Sequence, residues 1–242
     1  MILPGERIDK IGFGNLRLIQ KPEDFCYGVD AVILADFASQ KKANHIVDLG
    51  TGTGIVPHIL SHKTDAKKIY GVEVQEDTYL RAKRNQEING LKDRISFVLA
   101  NVKDSLPIED GWADVVTTNP PYMINQGGIT NKTQAKTIAR HEALATLEDF
   151  VACGTRLLKT GGHFYLVHRP SRLVDIFTTC RKHRLEPKEI RFVSSKLGET
   201  PNIVLVHCVK NGGKELKFLP TLYVYKENGE YTEEINVIYE RY

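Results

Sequence analysis

The stretch HIVDLGTGTG, residues 45–54, places a short apolar run directly before glycines at alternate positions. A glycine-rich turn between a buried strand and a helix lets backbone N–H groups approach a ligand that side chains would exclude. A dinucleotide fingerprint would need glycine where the chain has Ile55 or Pro57, and no Gly-Lys-Ser/Thr of a phosphate-binding Walker loop follows. The stretch therefore predicts a strand, a ligand-binding turn and a helix, but not either of these two nucleotide loops.

From residue 45 onwards, short strand-like runs alternate with longer helical segments. The later runs occupy residues 68–74, 95–100, 114–119 and 163–168. This alternation predicts βαβ units and a parallel sheet with helices on both faces. Two further runs, 189–195 and 202–210, lie too close together for a crossover helix, so they should form an antiparallel hairpin. The predicted fold class is α/β.

The 242 residues suffice for one α/β core, so residues 1–242 are expected to form a single domain. Within it, residues 1–26 should be an N-terminal hairpin extension and residues 27–210 the core. Residues 211–242 should be a C-terminal tail packed on that core. A helix is predicted over residues 30–38, with Asp30 as its N-cap.

The composition indicates a soluble globular protein, with 41% hydrophobic and 26% charged residues and a net charge of +3. This charge permits a nucleic-acid partner without requiring one. No apolar run could span a bilayer, the N-terminus lacks the apolar segment of a signal peptide, and no C-x-x-C pair occurs. We expect a cytoplasmic protein with no metal and no membrane partner. The oligomeric state is left open, with a monomer favoured.

Glu73 ends the second strand of the alternating pattern. A carboxylate at this position can accept hydrogen bonds from both hydroxyls of a ribose. Glu73 and the glycine turn together predict a nucleoside-bearing cofactor without a pyrophosphate. The alternative is a simple tight turn beside a solvated carboxylate.

The stretch TTNPPYMI, residues 117–124, ends a strand with an amide, two prolines and an aromatic residue. Proline fixes its own φ and keeps the preceding residue out of the α region, so this stretch should hold its carbonyl groups in fixed directions. The sequence therefore predicts backbone and side-chain acceptors aimed at a ligand. The alternative is that Asn119 caps a helix and Tyr122 belongs to the core.

VDLGTGTG, GVEV and NPPY, in this order and spacing, resemble the S-adenosylmethionine-dependent class I methyltransferases whose acceptors are planar amides or amines. The resemblance covers residues 27 to 210. It implies a Rossmann-like fold with a mostly parallel seven-stranded sheet, a C-terminal antiparallel hairpin and S-adenosyl-L-methionine as the cofactor. The implied cofactor-binding residues are Asp48, Gly50, Thr51, Gly52, Glu73, Val74, Asn101, Val102 and Asn119. Most relatives carry an acidic residue where this chain has Asn101, but an amide oxygen can accept the same hydrogen bond.

The same resemblance implies the roles of the residues that contact the acceptor. The lone pair of an exocyclic amine is delocalised into its ring, so the nitrogen attacks a methyl group only when its N–H bonds are held by acceptors. The Asn119 side-chain oxygen and the Pro120 carbonyl would be these acceptors, acting by positioning and electrostatics. Tyr122 would offer a flat face to an extruded base.

Four other stretches resemble one branch of this class, the bacterial tRNA(Val) adenine-N6 methyltransferases. They are FCYGVDAVILADFA (25–38), ARHE (139–142), GGHFYLVHRPSRLVDIF (161–177) and YVYKENGEYTEE (223–234). The implied reaction is methylation of the N6 amine of an adenine in the anticodon loop of a tRNA(Val). The alternatives are N5 methylation of a protein glutamine, N2 methylation of an rRNA guanine, and a non-enzymatic module that binds S-adenosylmethionine.

Contacts with the RNA are expected from Pro121 and from the polar segment that follows it. Lys132, Lys136 and Arg140 in this segment could bind phosphates. The alternative is that the segment is a solvated surface loop.

Overall fold

The computed structural model describes residues 2–24, 26–121 and 145–241. In chain order its strands and helices are β1 (Arg7–Lys10), β2 (Arg17–Gln20), α1 (Val29–Ser39), β3 (His45–Leu49), α2 (Ile55–Lys63), β4 (Lys68–Glu73), α3 (Glu76–Ile88), β5 (Ile95–Leu99), β6 (Ala113–Thr118), α4 (Leu147–Leu157), β7 (Leu158–His168), α5 (Leu173–Lys182), β8 (Leu185–Ser194), β9 (Ile203–Lys210), β10 (Lys217–Tyr223) and α6 (Glu233–Ile238).

The main sheet has the strand order β10-β8-β9-β7-β6-β3-β4-β5. Within it, β9 runs opposite to both of its neighbours, β7 and β8, and the other neighbouring strands are parallel. The α/β class and the antiparallel hairpin of β8 and β9 are therefore confirmed. The predicted N-terminal hairpin is also present, as the separate antiparallel pair of β1 and β2.

Helices cover both faces of the sheet, as the alternation predicted. Successive strand residues point to opposite faces, so Ile46 belongs to one hydrophobic cluster and Val47 to the other. The first cluster contains residues of α1 and α2 together with the N-terminal hairpin. The second contains residues of α4 and α5. This double coverage explains why the strands are nearly continuous apolar runs.

The prediction of seven strands is wrong, because the described sheet has eight. The additional strand is β10, which lies in the C-terminal tail and pairs in parallel with β8. It covers backbone groups of β8 that would otherwise form an exposed edge. The register shifts between Leu219 and Leu222, and Pro220 falls inside this irregularity, a position that an edge strand tolerates.

The N-cap of α1 is Gly28, so the prediction that Asp30 caps this helix is wrong. Asp30 lies in the first turn, and its Oδ1 accepts a hydrogen bond from the backbone N–H of Ala31 at 3.0 Å. The end of α3 lies just before Gly90, which adopts a φ of 66°, the left-handed conformation in which glycine commonly terminates a helix.

None of the helices in the described part of the chain combines the length and apolar character needed to cross a membrane. The same residues contain no group of three or more His, Cys, Asp or Glu side chains arranged to hold a metal ion.

Replacing Leu222 with alanine tests whether the tail is part of the hydrophobic core. Leu222 is fully buried in the cluster that contains α1, so its truncation should lower the free energy of unfolding by about 2–5 kcal/mol. Phe218 on the same strand is 70% exposed, and Phe218→Ala should change stability by about 0.5 kcal/mol or less. Urea unfolding measures both variants. If Leu222→Ala were as stable as Phe218→Ala, the tail would contribute nothing to the hydrophobic core.

Candidate active site

Four neighbouring strands, in the order β6-β3-β4-β5, bring most of the predicted site residues to one edge of the sheet. Asp48 lies near the carboxyl end of β3 and Glu73 ends β4. Asn101 and Asn119 follow β5 and β6. In parallel α/β sheets, ligands bind at the carboxyl ends of the strands, so this edge is the candidate site.

The glycine turn after β3 is held against β4 by its own backbone. The N–H groups of Gly50 and Thr51 donate to the carbonyl oxygen of Val72 at 2.9 and 3.0 Å. Gly52 adopts a φ of 57°, and a Cβ built at this residue would have no atom within 4 Å. A Cβ at Gly54 would lie 2.5 Å from the ring of Phe97. Gly54 is therefore needed for packing, whereas Gly52 borders open space that a ligand can approach closely.

The Glu73 carboxylate is buried and accepts hydrogen bonds from three backbone N–H groups. Oε1 accepts from Val74 and Gln75 at 3.0 and 2.9 Å, and Oε2 accepts from Gly52 at 2.9 Å. A carboxylate oxygen accepts about two hydrogen bonds, so Oε2 has room for one more donor. A second donor, such as the other hydroxyl of a ribose, would have to replace the Gly52 N–H. These residues fit a ribose. Because Gly52 of the glycine turn donates to the same carboxylate, a ribose bound at Glu73 would lie next to that turn.

Asp48 is buried between β3 and β6, where its Oδ1 accepts a hydrogen bond from the Thr117 hydroxyl at 2.6 Å. Burial raises the pKa of this carboxyl to about 7, although the hydrogen bond from Thr117 opposes the rise. The negative charge of Glu73 adds to the increase in pKa. Asp48 can therefore change its protonation state near neutral pH.

Asn101 and Val102 lie in the turn that follows β5. The Asn101 Oδ1 accepts from the backbone N–H of Lys103 at 3.0 Å, and Val102 is buried. The expectation that Asn101 accepts from a ligand amine rests on the resemblance described above. The contacts of Val74, Asn101 and Val102 with a cofactor remain predictions.

Asn119 follows β6, and its Nδ2 donates to Oδ2 of Asp30 in α1 at 3.1 Å. The preceding residue, Thr118, donates from its hydroxyl to the carbonyl oxygen of Leu49 at 2.9 Å. This bond ties the end of β6 to the start of the glycine turn. Pro120 is buried and Pro121 is partly buried. The structure thus brings the predicted acceptor residues Asn119 and Pro120 beside the predicted cofactor residues.

Four predicted residues lie outside the described part of the chain. They are Tyr122, Lys132, Lys136 and Arg140. Their roles remain predictions.

Three residues hold the site together although no role in it was predicted for them. Asp30 contacts Asn119, and Thr117 contacts Asp48. Asn85 in α3 donates to the carbonyl oxygen of Thr53 at 3.0 Å and accepts from the backbone N–H of Ile19 at 2.6 Å. Asn85 therefore joins the glycine turn to the N-terminal hairpin. An asparagine in the middle of a helix was the available signal, because this residue type favours caps and turns.

Comparison with known proteins identifies the family. The family model described as the methyltransferase small domain matches residues 16–182. The chain belongs to this family. The predictions of a methyltransferase and of S-adenosyl-L-methionine as its cofactor are therefore confirmed.

Two relatives carry the same name, tRNA1(Val) (adenine(37)-N6)-methyltransferase. The protein of Bacteroides thetaiotaomicron is 32% identical over 183 residues, which cover 74% of each chain. The protein of Pedobacter heparinus is 25% identical over 209 residues, covering 86% of this methyltransferase and 87% of the relative. Among solved structures, a predicted O-methyltransferase from Agrobacterium tumefaciens superposes with a TM-score of 0.71 at 21% identity. That match covers 87% of this chain and 95% of the other, and it shows that the two share a fold.

Glu73→Ala should weaken the binding of S-adenosyl-L-methionine by about 2–3 kcal/mol, because a charged acceptor is lost from the ribose. The free energy of unfolding should also fall, since the backbone N–H groups of Gly52, Val74 and Gln75 lose their acceptor. Glu76→Ala, an exposed position at the start of α3, is the matched control and should change neither quantity. Titration calorimetry and urea unfolding measure the two effects. A folded Glu73→Ala variant with wild-type affinity would remove Glu73 from the cofactor site.

Asp48 should make the methyltransferase less stable as the pH rises from about 4 to about 7. The folded-state pKa of about 7 exceeds the ordinary value of 3.8, so in this interval the folded protein binds more protons than the unfolded chain. Stability attributable to Asp48 is then present below pH 4 and lost as the pH passes 7. The full change is on the order of 4 kcal/mol.

Asp48→Asn should remove this part of the pH dependence, because the amide does not titrate. Urea unfolding of both proteins between pH 4.5 and pH 8, without added cofactor, measures the difference. The advantage of the variant should grow with pH. A constant difference across the range would contradict the raised pKa.

Proposed function

We propose that this methyltransferase transfers a methyl group from S-adenosyl-L-methionine to the N6 amine of an adenine in tRNA, in the anticodon loop of a tRNA(Val). The observation that carries the proposal is the position of Asn119 and Pro120 directly beside the glycine turn, joined to it through Thr118 and Leu49. The names of the relatives support the choice of acceptor.

The chemistry follows from the acceptors at this edge. Asn119 donates through Nδ2 to Asp30, so its Oδ1 is left to accept from an amine. With the Pro120 carbonyl, it would hold both N–H bonds of the target nitrogen and favour the pyramidal geometry that frees its lone pair. The bound cofactor supplies an electrophilic methyl group. The chain acts by positioning and electrostatics. The methylated nitrogen would carry a positive charge and lose its extra proton to water, and S-adenosyl-L-homocysteine would leave, so no general base of special pKa is required.

The predicted cofactor residues lie at the ends of neighbouring strands, and each strand end would contact a different part of the cofactor. Gly50, Thr51 and Gly52 would approach the cofactor through their backbone, with Asp48 below them. Glu73 would accept from the ribose, and Asn101 would accept from the adenine amine. Val74 and Val102 would pack against the base.

Contacts with tRNA are proposed for Pro121 and for residues beyond it, namely Tyr122, Lys132, Lys136 and Arg140. Several other basic residues on the surface are already paired with carboxylates. Arg172 contacts Asp175 at 2.7 Å, and Lys182 contacts Glu148 at 2.5 Å. Such pairing lowers the net positive charge that these two side chains offer to phosphates.

We also propose that residues 1–242 act as one domain in the cytoplasm; the oligomeric state stays open, with a monomer favoured. The shared core supports the first part, because one cluster contains residues from the N-terminal hairpin, the core helices and the C-terminal tail.

Asn119→Ala tests the proposed reaction. The side chain stabilises a geometry reached only in the transition state, so its loss should lower kcat by about a hundredfold or more and leave KM nearly unchanged. The assay is methyl transfer to tRNA(Val) that lacks the modification, with the product nucleoside identified by mass spectrometry. RNA affinity should stay near that of the wild type, because phosphate contacts dominate it.

Asn228→Ala is the control, because Asn228 lies in the turn of the C-terminal tail. It should keep full activity. N5-methylglutamine in protein, or N2-methylguanosine in rRNA, would identify one of the alternative acceptors. A folded Asn119→Ala variant with wild-type turnover would contradict the mechanism.

A further inference from the structure

Asp30 contacts the Asn119 side chain and orients its amide group. Asp30 is only 8% exposed, and its two carboxylate oxygens have different partners. Oδ1 accepts from the Ala31 backbone at 3.0 Å, and Oδ2 accepts from the Asn119 Nδ2 at 3.1 Å. Oδ2 accepts in this contact, so the donating NH2 end of the amide is the end that faces Asp30. The oxygen of Asn119 must then point away from Asp30.

The local structure of α1 holds this carboxylate in place. Asp30 lies in the first turn, where the positive end of the helix dipole favours a negative charge. A Cβ at Gly28 would lie 2.7 Å from Oδ1 of Asp30, so a larger residue at position 28 would displace the carboxylate. Gly28 therefore makes room for Asp30, and the Ala31 N–H fixes its orientation.

We propose that Asp30 is the positioning residue of the methyl-transfer site: it holds the Asn119 amide in the orientation that presents Oδ1 to the acceptor amine. The inference rests on the proposed function, since an acceptor amine must be the group that Asn119 meets. It adds a role for a residue that does not itself need to touch the cofactor or the substrate.

Two substitutions at position 30 distinguish a positioning role from a purely structural one. A positioning role predicts that Asp30→Asn lowers kcat more than Asp30→Ala does, and a structural role predicts the reverse. Asp30→Asn keeps the size of the side chain. However, with its oxygen still on the Ala31 N–H, its NH2 group would face the NH2 group of Asn119. The Asn119 amide should then rotate and present a donor to the amine, so kcat should fall by about a hundredfold or more, as for Asn119→Ala. Asp30→Ala leaves the amide free to adopt either orientation and should lose less.

KM for tRNA and the affinity for the cofactor should change little in both variants. A structural role predicts instead that Asp30→Ala is the more damaging change, because it leaves a cavity and unpaired polar groups. Asp36→Asn, on the same helix but paired with Lys63, is the matched control and should keep wild-type kcat. Equal activities of Asp30→Asn and the wild type would overturn the inference.

An exchange of the two residues gives a rescue experiment. Asn119→Asp alone would place two carboxylates together and should be inactive. In the double variant Asp30→Asn/Asn119→Asp, the new amide can donate to one oxygen of the new carboxylate, and the other oxygen can accept from the amine. Its kcat should exceed that of either single variant by about tenfold or more, as expected when two residues in contact compensate each other. A double variant no more active than Asp30→Asn would also overturn the inference.

A spectroscopic measurement separates this inference from the proposed function. With asparagine labelled by 15N, the side-chain NH2 signal of Asn119 is identified by its absence in Asn119→Ala. In the wild type this signal should exchange with solvent more slowly than that of Asn15, which is exposed in the turn between β1 and β2, and Asp30→Ala should remove the difference. Equal exchange in the wild type would refute the contact whatever the enzyme methylates. A wild-type protein that shows the slow exchange but methylates no tRNA would refute the proposed function alone.

Discussion

Parallel pairing of β3 with β6 is the interaction on which the candidate site depends. It places the glycine turn and Asn119 at the same edge of the sheet, although the two segments are far apart in the chain. Two threonine hydroxyls on β6 reinforce the pairing, one on the Asp48 carboxylate and one on the Leu49 carbonyl. Because neither segment can shift without breaking these bonds, the distance between the glycine turn and Asn119 is set by the sheet itself.

Three buried carboxylates at this edge, those of Asp30, Asp48 and Glu73, accept hydrogen bonds from backbone N–H groups or from side chains. Burying a carboxylate is costly, and the pKa of about 7 at Asp48 records that cost. At Glu73 the cost of burial is reduced by three backbone N–H donors, which also fix the direction of the carboxylate oxygens. Burial of these carboxylates lowers the stability of the fold, but it leaves the acceptors oriented before any ligand binds.

Segments outside the alternating core complete the site through side chains as well as backbone. Asn85 on α3 and Asn89, the C-cap one turn later, both bond to the backbone of β2, at Ile19 and Arg17. They act as a substitute for a neighbouring strand, because alternate residues of a strand present their backbone groups to the same side. The C-terminal tail contributes a true strand, β10, which pairs with β8 and covers that edge of the main sheet. Both ends of the chain are therefore built into the fold.

The sequence by itself determined the features that short stretches encode: the apolar runs of β3 to β9, the glycine turn, the cap at Gly90, and the positions of Glu73 and Asn119 at strand ends. Tertiary structure alone decided the features that depend on distant residues. Asp30 contacts Asn119 across 89 positions, and β10 became a strand because β8 offered an unpaired edge. Strand periodicity and turn chemistry act between residues within a few positions of each other, so they can be recognised in the sequence. A hydrogen bond between the start of a helix and the end of a distant strand forms only after the sheet has brought the two together. No local sequence pattern predicts it.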